Sequence, residues 1–223
     1  MPKFNRLFDE WAQNYDETVY GLDNEYKEVF EEYNKILKNI CCEIIGNKDG
    51  LVIEIGVGTG NLTKLLYKKG FRVIGIEPSI EMRKISKSKI PNVEILDGHF
   101  LSIPVNKKID AFVTSYAFHH LTFDEKQEAI IYLDSLLAED GKIIIADTMF
   151  ESKEYKQKLY EHVENTKAFN LLKDLNTEYY EYLDDICSLF KNLNYSIKKV
   201  KMNKYVWIVT AIKGGINNEK SNS

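Results

Sequence analysis

Four successive apolar segments of the chain are each followed by residues whose types could bind a ligand or move a proton. In chain order these residues are Gly56, Gly58, Glu77, Asp97, Gly98, Ser115, His119 and His120. Carboxylates accept hydrogen bonds from hydroxyl and amino groups, glycines let the backbone approach a ligand closely, and histidine changes charge near neutral pH. These residue types indicate a site that binds a polar ligand and can take up a proton.

A glycine-rich loop is the most informative of these features. It follows Leu51–Ile55, a short segment that is apolar on both faces, as expected of a strand inside a parallel sheet. Gly56, Gly58 and Gly60 remove side chains where the backbone must turn sharply, and Asn61 is predicted to cap the helix that follows. The G-x-G-x-G spacing indicates a nucleotide-cofactor loop, but it differs from the G-x-G-x-x-G of dinucleotide-binding proteins.

A carboxylate stands at the end of the second predicted strand. Arg72–Ile76 is β-branched and is followed by Glu77, seventeen positions after Gly60. In an open α/β sheet this edge is where a ribose binds, and an ionised carboxylate can accept hydrogen bonds from both ribose hydroxyls. The alternative is that Glu77 only caps the helix that opens near Ser79.

The third and fourth predicted strands, 93–96 and 109–114, also end in polar turns. Asp97 could accept a hydrogen bond from an exocyclic amine such as adenine N6, and Gly98 would let the base lie against the backbone. Met82 could pack on the adenine face or simply fill the core. Because the carboxyl ends of such strands meet along one edge, these residues are predicted to share one crevice.

The motifs resemble those of class I S-adenosylmethionine-dependent methyltransferases, and more narrowly the YrrT-type bacterial methyltransferases. They are Glu54-x-Gly56-x-Gly58-x-Gly60, Glu77, Asp97, Ser115-Tyr116-Ala117-Phe118-His119-His120-Leu121, Leu7-Phe8-Asp9-Glu10-Trp11-Ala12-x-x-Tyr15-Asp16, Gly21-Leu22-Asp23 and Val206-Trp207-Ile208. They span nearly the whole chain, and the narrower group has no assigned acceptor.

The resemblance implies S-adenosylmethionine as the cofactor and assigns residues to its parts. Gly56 and Gly58 would line the methionine and ribose, Glu77 would take the ribose, and Asp97 would take the adenine amine. Glu54 would lie near the methionine ammonium. Beside the resemblance, Ser115 and Tyr15 are added to the cofactor set, since Ser115 ends the fourth strand and the Tyr15 hydroxyl could meet the methionine carboxylate or the acceptor.

The two adjacent histidines are the candidate catalytic residues. His119 or His120 could act as a general base for an acceptor that carries a proton, and only one of them is expected to face the pocket. The alternative is that both bond locally and are structural. No residue at ligand spacing completes a His-His metal site, so no metal is expected. Tyr116 could wall the acceptor pocket, whereas Trp11 and Phe118 are expected in helix and core packing.

The element pattern predicts a Rossmann-like α/β fold with a seven-stranded, mostly parallel sheet. Residues 1–50 form helices on the core with a lid over the cofactor, 51–212 form the cofactor-binding core with a helical insert at 151–190, and 213–223 form a frayed tail. The segments 195–200 and 205–212 flank Met202-Asn203, which predicts a terminal antiparallel hairpin.

Composition is typical of a globular enzyme of 223 residues, with 44% hydrophobic residues and a net charge of −4. No basic stripe indicates a nucleic-acid partner, and no apolar stretch of about 20 residues or secretion signal indicates a membrane or exported protein. Cys41, Cys42 and Cys187 indicate neither a disulfide framework nor a zinc cluster, so a reducing cytoplasm is expected. A monomer or a homodimer is compatible with the chain.

The leading hypothesis is a methyltransferase that moves a methyl group from S-adenosylmethionine to a small-molecule acceptor by in-line displacement. One alternative is a non-catalytic protein that binds S-adenosylmethionine. The other is an NAD-dependent oxidoreductase, which the glycine spacing and the terminal hairpin disfavour.

Overall fold

The computed structural model describes residue 12 and the ranges 15–21, 23–44 and 50–214. The predictions made for Trp11, for the motif at 7–10 and for the tail from 215 onward lie outside these residues. Within them the prediction of an α/β fold is confirmed.

The described residues form seven strands and eight α-helices, which we number in chain order. The strands are β1 Leu51–Ile55, β2 Arg72–Ile76, β3 Glu94–Leu96, β4 Ile109–Ser115, β5 Leu137–Thr148, β6 Ser196–Lys201 and β7 Val206–Ile212. The helices are α1 Tyr15–Val19, α2 Tyr33–Ile44, α3 Asn61–Lys68, α4 Ile80–Lys89, α5 Phe123–Leu136, α6 Lys153–Asn165, α7 Phe169–Thr177 and α8 Leu183–Lys191, with a 3₁₀ turn at Phe118–His120.

All seven strands belong to one sheet in the order β3-β2-β1-β4-β5-β7-β6. The first five strands pair in parallel, whereas β7 runs antiparallel between β5 and β6. The predicted hairpin is therefore confirmed, and its second strand is inserted next to β5. Because β1 and β4 lie side by side with β2 on the other flank, their carboxyl ends gather beside the glycine loop.

Strand β1 lies at the centre of the molecule and is buried at all five positions. Its successive side chains point to opposite faces, so that Val52 belongs to one apolar cluster while Ile53 and Ile55 belong to the other. Full burial of a side chain such as Ile53 contributes roughly 1.5–3 kcal/mol to stability. Glu54 shares the face of Val52, and this alternation directs its carboxylate toward α3 rather than along the sheet edge.

Helices cover both faces of the sheet. The cluster on the Val52 face includes Ile36 and Ile40 of α2, which lie four residues apart on one side of the helix and are fully buried. The cluster on the Ile53 face includes Ile130 of α5 and Phe190 of α8. The predicted insert at 151–190 contains the three helices α6, α7 and α8. Within the ranges that the model describes, no helix has both the length and the apolar character needed to cross a bilayer.

Two local predictions were wrong. Asn61 does not cap α3, because Gly60 occupies the cap position without a side-chain bond and the Asn61 amide instead donates to Asp16. The Asp140-Gly141 pair predicts a turn that leads into a fifth strand at 142–146. Strand β5 instead begins at Leu137, since the ladder to β4 continues across a bulge in which Asp140 adopts a φ of 59°. The Asp140-Gly141 pair thus bends a strand instead of ending a turn before it.

Candidate active site

One cavity of about 170 Å³ opens at the carboxyl ends of the central strands. A first set of lining residues comes from α1 and from the ends of β1 to β4. These are Tyr15, Gly56, Gly58, Glu77, Pro78, Met82, His99, Phe100 and Ser115. A second set comes from the β4 turn, the end of β5, the segment before α2 and the insert. It includes Tyr26, Phe30, Tyr116, His119, His120, Thr148, Asp174, Glu178 and Tyr180.

Glu77 is fixed at the first end of the cavity by backbone hydrogen bonds to both carboxylate oxygens. The Gly58 N–H donates to Oε2 and the Ser79 N–H donates to Oε1, each at 2.8 Å. Glu77 is only 4% exposed. Ser79, and not Glu77, caps α4, because the Ser79 hydroxyl accepts from the Met82 N–H at 3.2 Å. The helix cap is therefore Ser79, and capping does not explain why the Glu77 carboxylate lies at the cavity.

The glycine loop has a shape that requires glycine at its first position. Gly56 adopts a φ of 77°, and a Cβ built there would lie 2.6 Å from Cβ of Ala117. Gly58 adopts a φ of 55°, and the ring of Tyr15 lies about 4.0 Å from the place where its Cβ would be. Backbone rather than side chain consequently forms the cavity wall here.

Helix α1 is fastened to this loop by Asp16. Its Oδ1 accepts hydrogen bonds from the Thr59 hydroxyl at 2.6 Å and from the Asn61 amide at 3.1 Å, and its Oδ2 pairs with Lys89. Tyr15 is thereby held against the cavity, and burial raises the pKa of its phenol, so that the hydroxyl stays a donor. No spacing in the sequence indicates these contacts of Asp16.

Three predicted cofactor residues lie outside the cavity lining. Asp97 is 75% exposed in its side chain and pairs with Arg83 at 2.9 Å. Gly98 is needed for packing, since a Cβ there would lie 2.6 Å from the Ser102 carbonyl oxygen. Glu54 is buried beneath the loop, where Thr63 donates to it and burial raises its pKa to about 8. The ligand roles assigned to these three residues remain predictions.

His119 is gripped by a single carboxylate at the end of β5. Asp147 accepts from the His119 backbone N–H at 3.0 Å through Oδ2, and its Oδ1 lies 2.7 Å from Nδ1. A carboxylate only accepts, so the ring proton lies on Nδ1 and Nε2 carries the lone pair of the neutral ring. Burial opposes the charged imidazole, but the Asp147 charge outweighs it and raises the pKa of His119. Burial likewise opposes the charged carboxylate, but His119 outweighs it and lowers the pKa of Asp147.

His120 lies beside His119, with ring centroids 4.1 Å apart, and both rings line the cavity. The prediction that only one could face it was wrong, because the tight 3₁₀ turn brings both to one side. Nδ1 of His120 lies 3.0 Å from Oε2 of Glu178. Burial and the charge of His119 lower the pKa of His120.

A third ligand-type side chain does accompany the two histidines. Ring nitrogens of His119 and His120 and a carboxylate oxygen of Glu178 all lie within 4.8 Å of one another. Glu178 is 58 positions from His120, so no sequence spacing indicates it, and the expectation that no metal is bound stays a prediction. Asp147, in contrast, could have been found, because it directly follows the segment 142–146, which the sequence indicates as a fifth strand.

The insert is fastened to the turn that carries the histidines. The Tyr179 N–H donates to the His119 carbonyl at 3.0 Å. The buried Lys126 ammonium donates to the Tyr179 carbonyl at 2.6 Å and to the Leu121 carbonyl. Tyr180 stacks on His119, with ring centroids 4.8 Å apart. The second half of the cavity is therefore built jointly by the sheet edge and the insert.

The aromatic predictions divide as expected from their positions. Tyr116 lines the cavity, packs 4.9 Å from Phe30 between ring centroids, and adopts a φ of 53°. Phe118 is 2% exposed and packs in the core against Phe100. Tyr116 thus forms part of the cavity wall, whereas Phe118 packs in the core.

Known proteins resemble this chain along almost its entire length. A family model described as a methyltransferase domain matches residues 52–141. The chain is 61% identical to an uncharacterized methyltransferase of Alkaliphilus oremlandii, over 97% of this chain and 100% of that protein. It is 44% identical to the uncharacterized methyltransferase YrrT of Halobacillus halophilus, over 95% of this chain and 98% of the relative.

The fold is also similar to that of a solved methyltransferase. The crystal structure of magnesium protoporphyrin IX methyltransferase from Synechocystis PCC 6803 with bound SAH superposes with a TM-score of 0.73, at 16% identity, covering 95% of this chain and 99% of that chain. At this identity the likeness concerns the fold alone. From the close relatives and the matched domain, the chain belongs to the class I S-adenosylmethionine-dependent methyltransferase family and, within it, to the YrrT-type group.

Proposed function

We propose that the protein transfers a methyl group from S-adenosylmethionine to a small-molecule acceptor. The observation that carries this proposal is the continuity of the cavity, which reaches from Glu77 and the glycine loop to His119 and His120. Methyl transfer requires donor and acceptor in one enclosed space, with the reacting atoms about 3–3.5 Å apart. A cavity with cofactor-type residues at one end and titratable side chains at the other meets that requirement.

The first end of the cavity suits the cofactor. We assign the ribose hydroxyls to Glu77, whose orientation is fixed by the Gly58 and Ser79 N–H groups. Gly56 and Gly58 offer a wall without side chains to the methionine part, and Ser115 and Tyr15 line the same end. The cradle thus fits the polar, nucleoside-bearing ligand that the family uses.

The adenine is assigned to the wall made by Pro78, Met82, His99 and Phe100. Asp97 remains the predicted partner of the adenine amine, although Arg83 holds its carboxylate at the surface. Asp97→Ala therefore tests a separate part of the proposal from Glu77→Ala.

When bound, the cofactor supplies an electrophilic methyl carbon on a positively charged sulfur. The chain then has to hold the acceptor in line, exclude water and receive its proton. We assign the proton to Nε2 of His119, because Asp147 fixes the Nδ1–H form of the ring and stabilises the imidazolium that results. Tyr116, Tyr180 and Phe30 are assigned to the walls that orient the acceptor.

Two measurements test the proposal. S-adenosylhomocysteine at a hundredfold excess over its dissociation constant should stabilise the fold by about 2.7 kcal/mol, whereas NAD should not. In calorimetric titration, Glu77→Ala should bind S-adenosylhomocysteine at least about tenfold more weakly, since a hydrogen bond to a charged group contributes roughly 1.5–3 kcal/mol. Glu94→Ala, an exposed position on β3, is the matched control.

A metabolite panel scored for S-adenosylhomocysteine release separates catalysis from binding. Turnover with at least one small acceptor is expected, and it should fall in His119→Ala. Binding of the cofactor product without release from any member of a broad panel would favour the non-catalytic alternative. Stabilisation by NAD alone would refute the assignment of the cavity.

A further inference from the structure

Three side chains of the second half of the cavity present the donor atoms of a transition-metal site. His119 and His120 follow one another in the 3₁₀ turn, and Glu178 ends α7 on the facing insert. One ring nitrogen of each histidine and one carboxylate oxygen lie within 4.8 Å of one another. We propose that these three residues bind a single divalent transition-metal cation.

The distances are close to what such a cation needs. Ligand atoms at about 2.0–2.2 Å from a tetrahedral zinc are roughly 3.4 Å apart. The observed separations therefore call for a contraction of at most about 1.4 Å. Rotation of side chains alone can supply a movement of that size, since all three lie at the cavity surface.

The surroundings of His119 match those of a metal-bound imidazole. A ligating histidine usually donates its other ring N–H to a carboxylate, which fixes the tautomer and orients the ring. Asp147 does this here, at 2.7 Å from Nδ1, and leaves Nε2 as the ring nitrogen available to a cation. Asp147 and Glu178 also provide two negative charges for a doubly charged cation, while the ammonium of Lys126 is balanced by Glu181 at 3.3 Å.

The backbone holds the three ligands together before any cation binds. The Tyr179 N–H donates to the His119 carbonyl, which ties the residue after Glu178 to the histidine turn. The Lys126 ammonium donates to the Tyr179 and Leu121 carbonyls and so joins the insert to the end of the histidine turn. The ligands therefore belong to one rigid unit even though they are distant in sequence.

The ligand types select the class of cation. Two imidazoles and one carboxylate suit Zn²⁺, Fe²⁺ or Co²⁺, whereas Mg²⁺ and Ca²⁺ prefer sites made of oxygen atoms alone. Three protein ligands leave at least one coordination position open. If the proposed methyl transfer holds, an acceptor oxygen, sulfur or nitrogen would occupy that position. The cation would promote loss of the acceptor's proton to water, so that in the metal-bound protein Nε2 of His119 is a ligand and water, not the free imidazole, receives that proton.

The test is a calorimetric titration of the chelator-treated full chain with Zn²⁺. One equivalent is expected to bind, and Glu178→Gln and His120→Ala should each weaken binding by at least about 100-fold. Asp147→Asn removes the carboxylate that orients His119 but no ligand, and it should weaken Zn²⁺ binding about 10–100-fold. The control is His162→Ala, because His162 pairs with Glu28 outside the cavity and should leave the affinity unchanged. Thermal melting without metal checks that each variant folds.

The coordination is checked independently with Co²⁺. Visible absorption bands without a thiolate-to-cobalt band are expected from nitrogen and oxygen ligands. Zn²⁺ affinity that survives both Glu178→Gln and His120→Ala, or a thiolate band that implicates the cysteines, overturns the site. Titration of the same metal-free samples with S-adenosylhomocysteine keeps the two proposals apart, because its binding tests the cofactor end and does not depend on the cation.

Discussion

The Thr59 hydroxyl donates a hydrogen bond of 2.6 Å to the Asp16 carboxylate, which joins α1 to the glycine loop. The same carboxylate receives the Asn61 amide and pairs with Lys89 of α4. Tyr15, the neighbour of Asp16, lines the cavity. A single acidic side chain therefore ties α1 to the glycine loop and to α4.

We expect Asp16→Ala to release α1 and to weaken S-adenosylhomocysteine binding about tenfold, a loss of about 1.4 kcal/mol that one charge-assisted hydrogen bond can account for. Calorimetry measures the affinity, and hydrogen exchange should become faster for the amides of Tyr15–Val19. Asp23→Ala is the control, because Asp23 lies in the same part of the chain and its carboxylate accepts from the Glu25 N–H rather than from the glycine loop. Unchanged hydrogen exchange in α1 would show that Asp16 does not hold this helix on the glycine loop.

Substitutions at two glycines, Gly56 in the glycine loop and Gly70 after α3, separate backbone strain from steric conflict. Gly56 and Gly70 adopt φ of 77° and 84°, but only at Gly56 would a Cβ meet another atom, 2.6 Å away on Ala117. Both Gly56→Ala and Gly70→Ala should lose roughly 1–2 kcal/mol of stability from the left-handed backbone. Gly56→Ala should lose roughly 1–3 kcal/mol more from overpacking.

The same two variants should also differ in their affinity for S-adenosylhomocysteine. Gly56→Ala displaces the cavity wall and should weaken S-adenosylhomocysteine binding, whereas Gly70→Ala, which follows α3, should bind as the wild type does. Urea unfolding and calorimetry give the two quantities. Equal stability losses in both variants would show that Ala117 yields to the added methyl group.

The parts of the fold that were predictable from sequence are those fixed by local patterns. The bounds of β1 and β2 follow from short β-branched runs that end at glycine or at Glu77, and the sheet edge then follows from the meeting of parallel strand ends. The bulge at Asp140 was not predictable, because Asp-Gly is equally suited to a turn and to a left-handed bend within a strand.

The partners of the site residues depend on contacts between distant elements. Glu178 reaches His120 because the insert folds back over the β4 turn, and Asp16 reaches Thr59 because α1 lies on the loop. No period or spacing in the chain carries this information. Residue types at strand ends therefore identified the histidines, whereas only the tertiary arrangement supplied Glu178 and the contacts of Asp16.

The buried carboxyl of Glu54 should make stability depend on pH in an unusual direction. Burial raises its pKa from 4.5 to about 8, with a smaller contribution from Glu77, and Thr63 supplies an opposing hydrogen bond. Below about pH 4.5 the carboxyl is protonated in both states. Between about pH 4.5 and 8 the unfolded chain loses this proton while the folded protein keeps it, so the contribution of Glu54 to the free energy of unfolding falls as pH rises.

Glu54→Gln removes this titration and keeps the size of the side chain and an acceptor for Thr63. Its free energy of unfolding should rise relative to the wild type by about 1.4 kcal/mol per pH unit within that window, and the difference should level off above about pH 8. Urea unfolding at about pH 5, 6.5 and 8 measures it, with Glu94→Gln on exposed β3 as the control. Because all other titrating groups are common to both proteins, parallel curves would mean that Glu54 is ionised in the folded state and that burial does not dominate its environment.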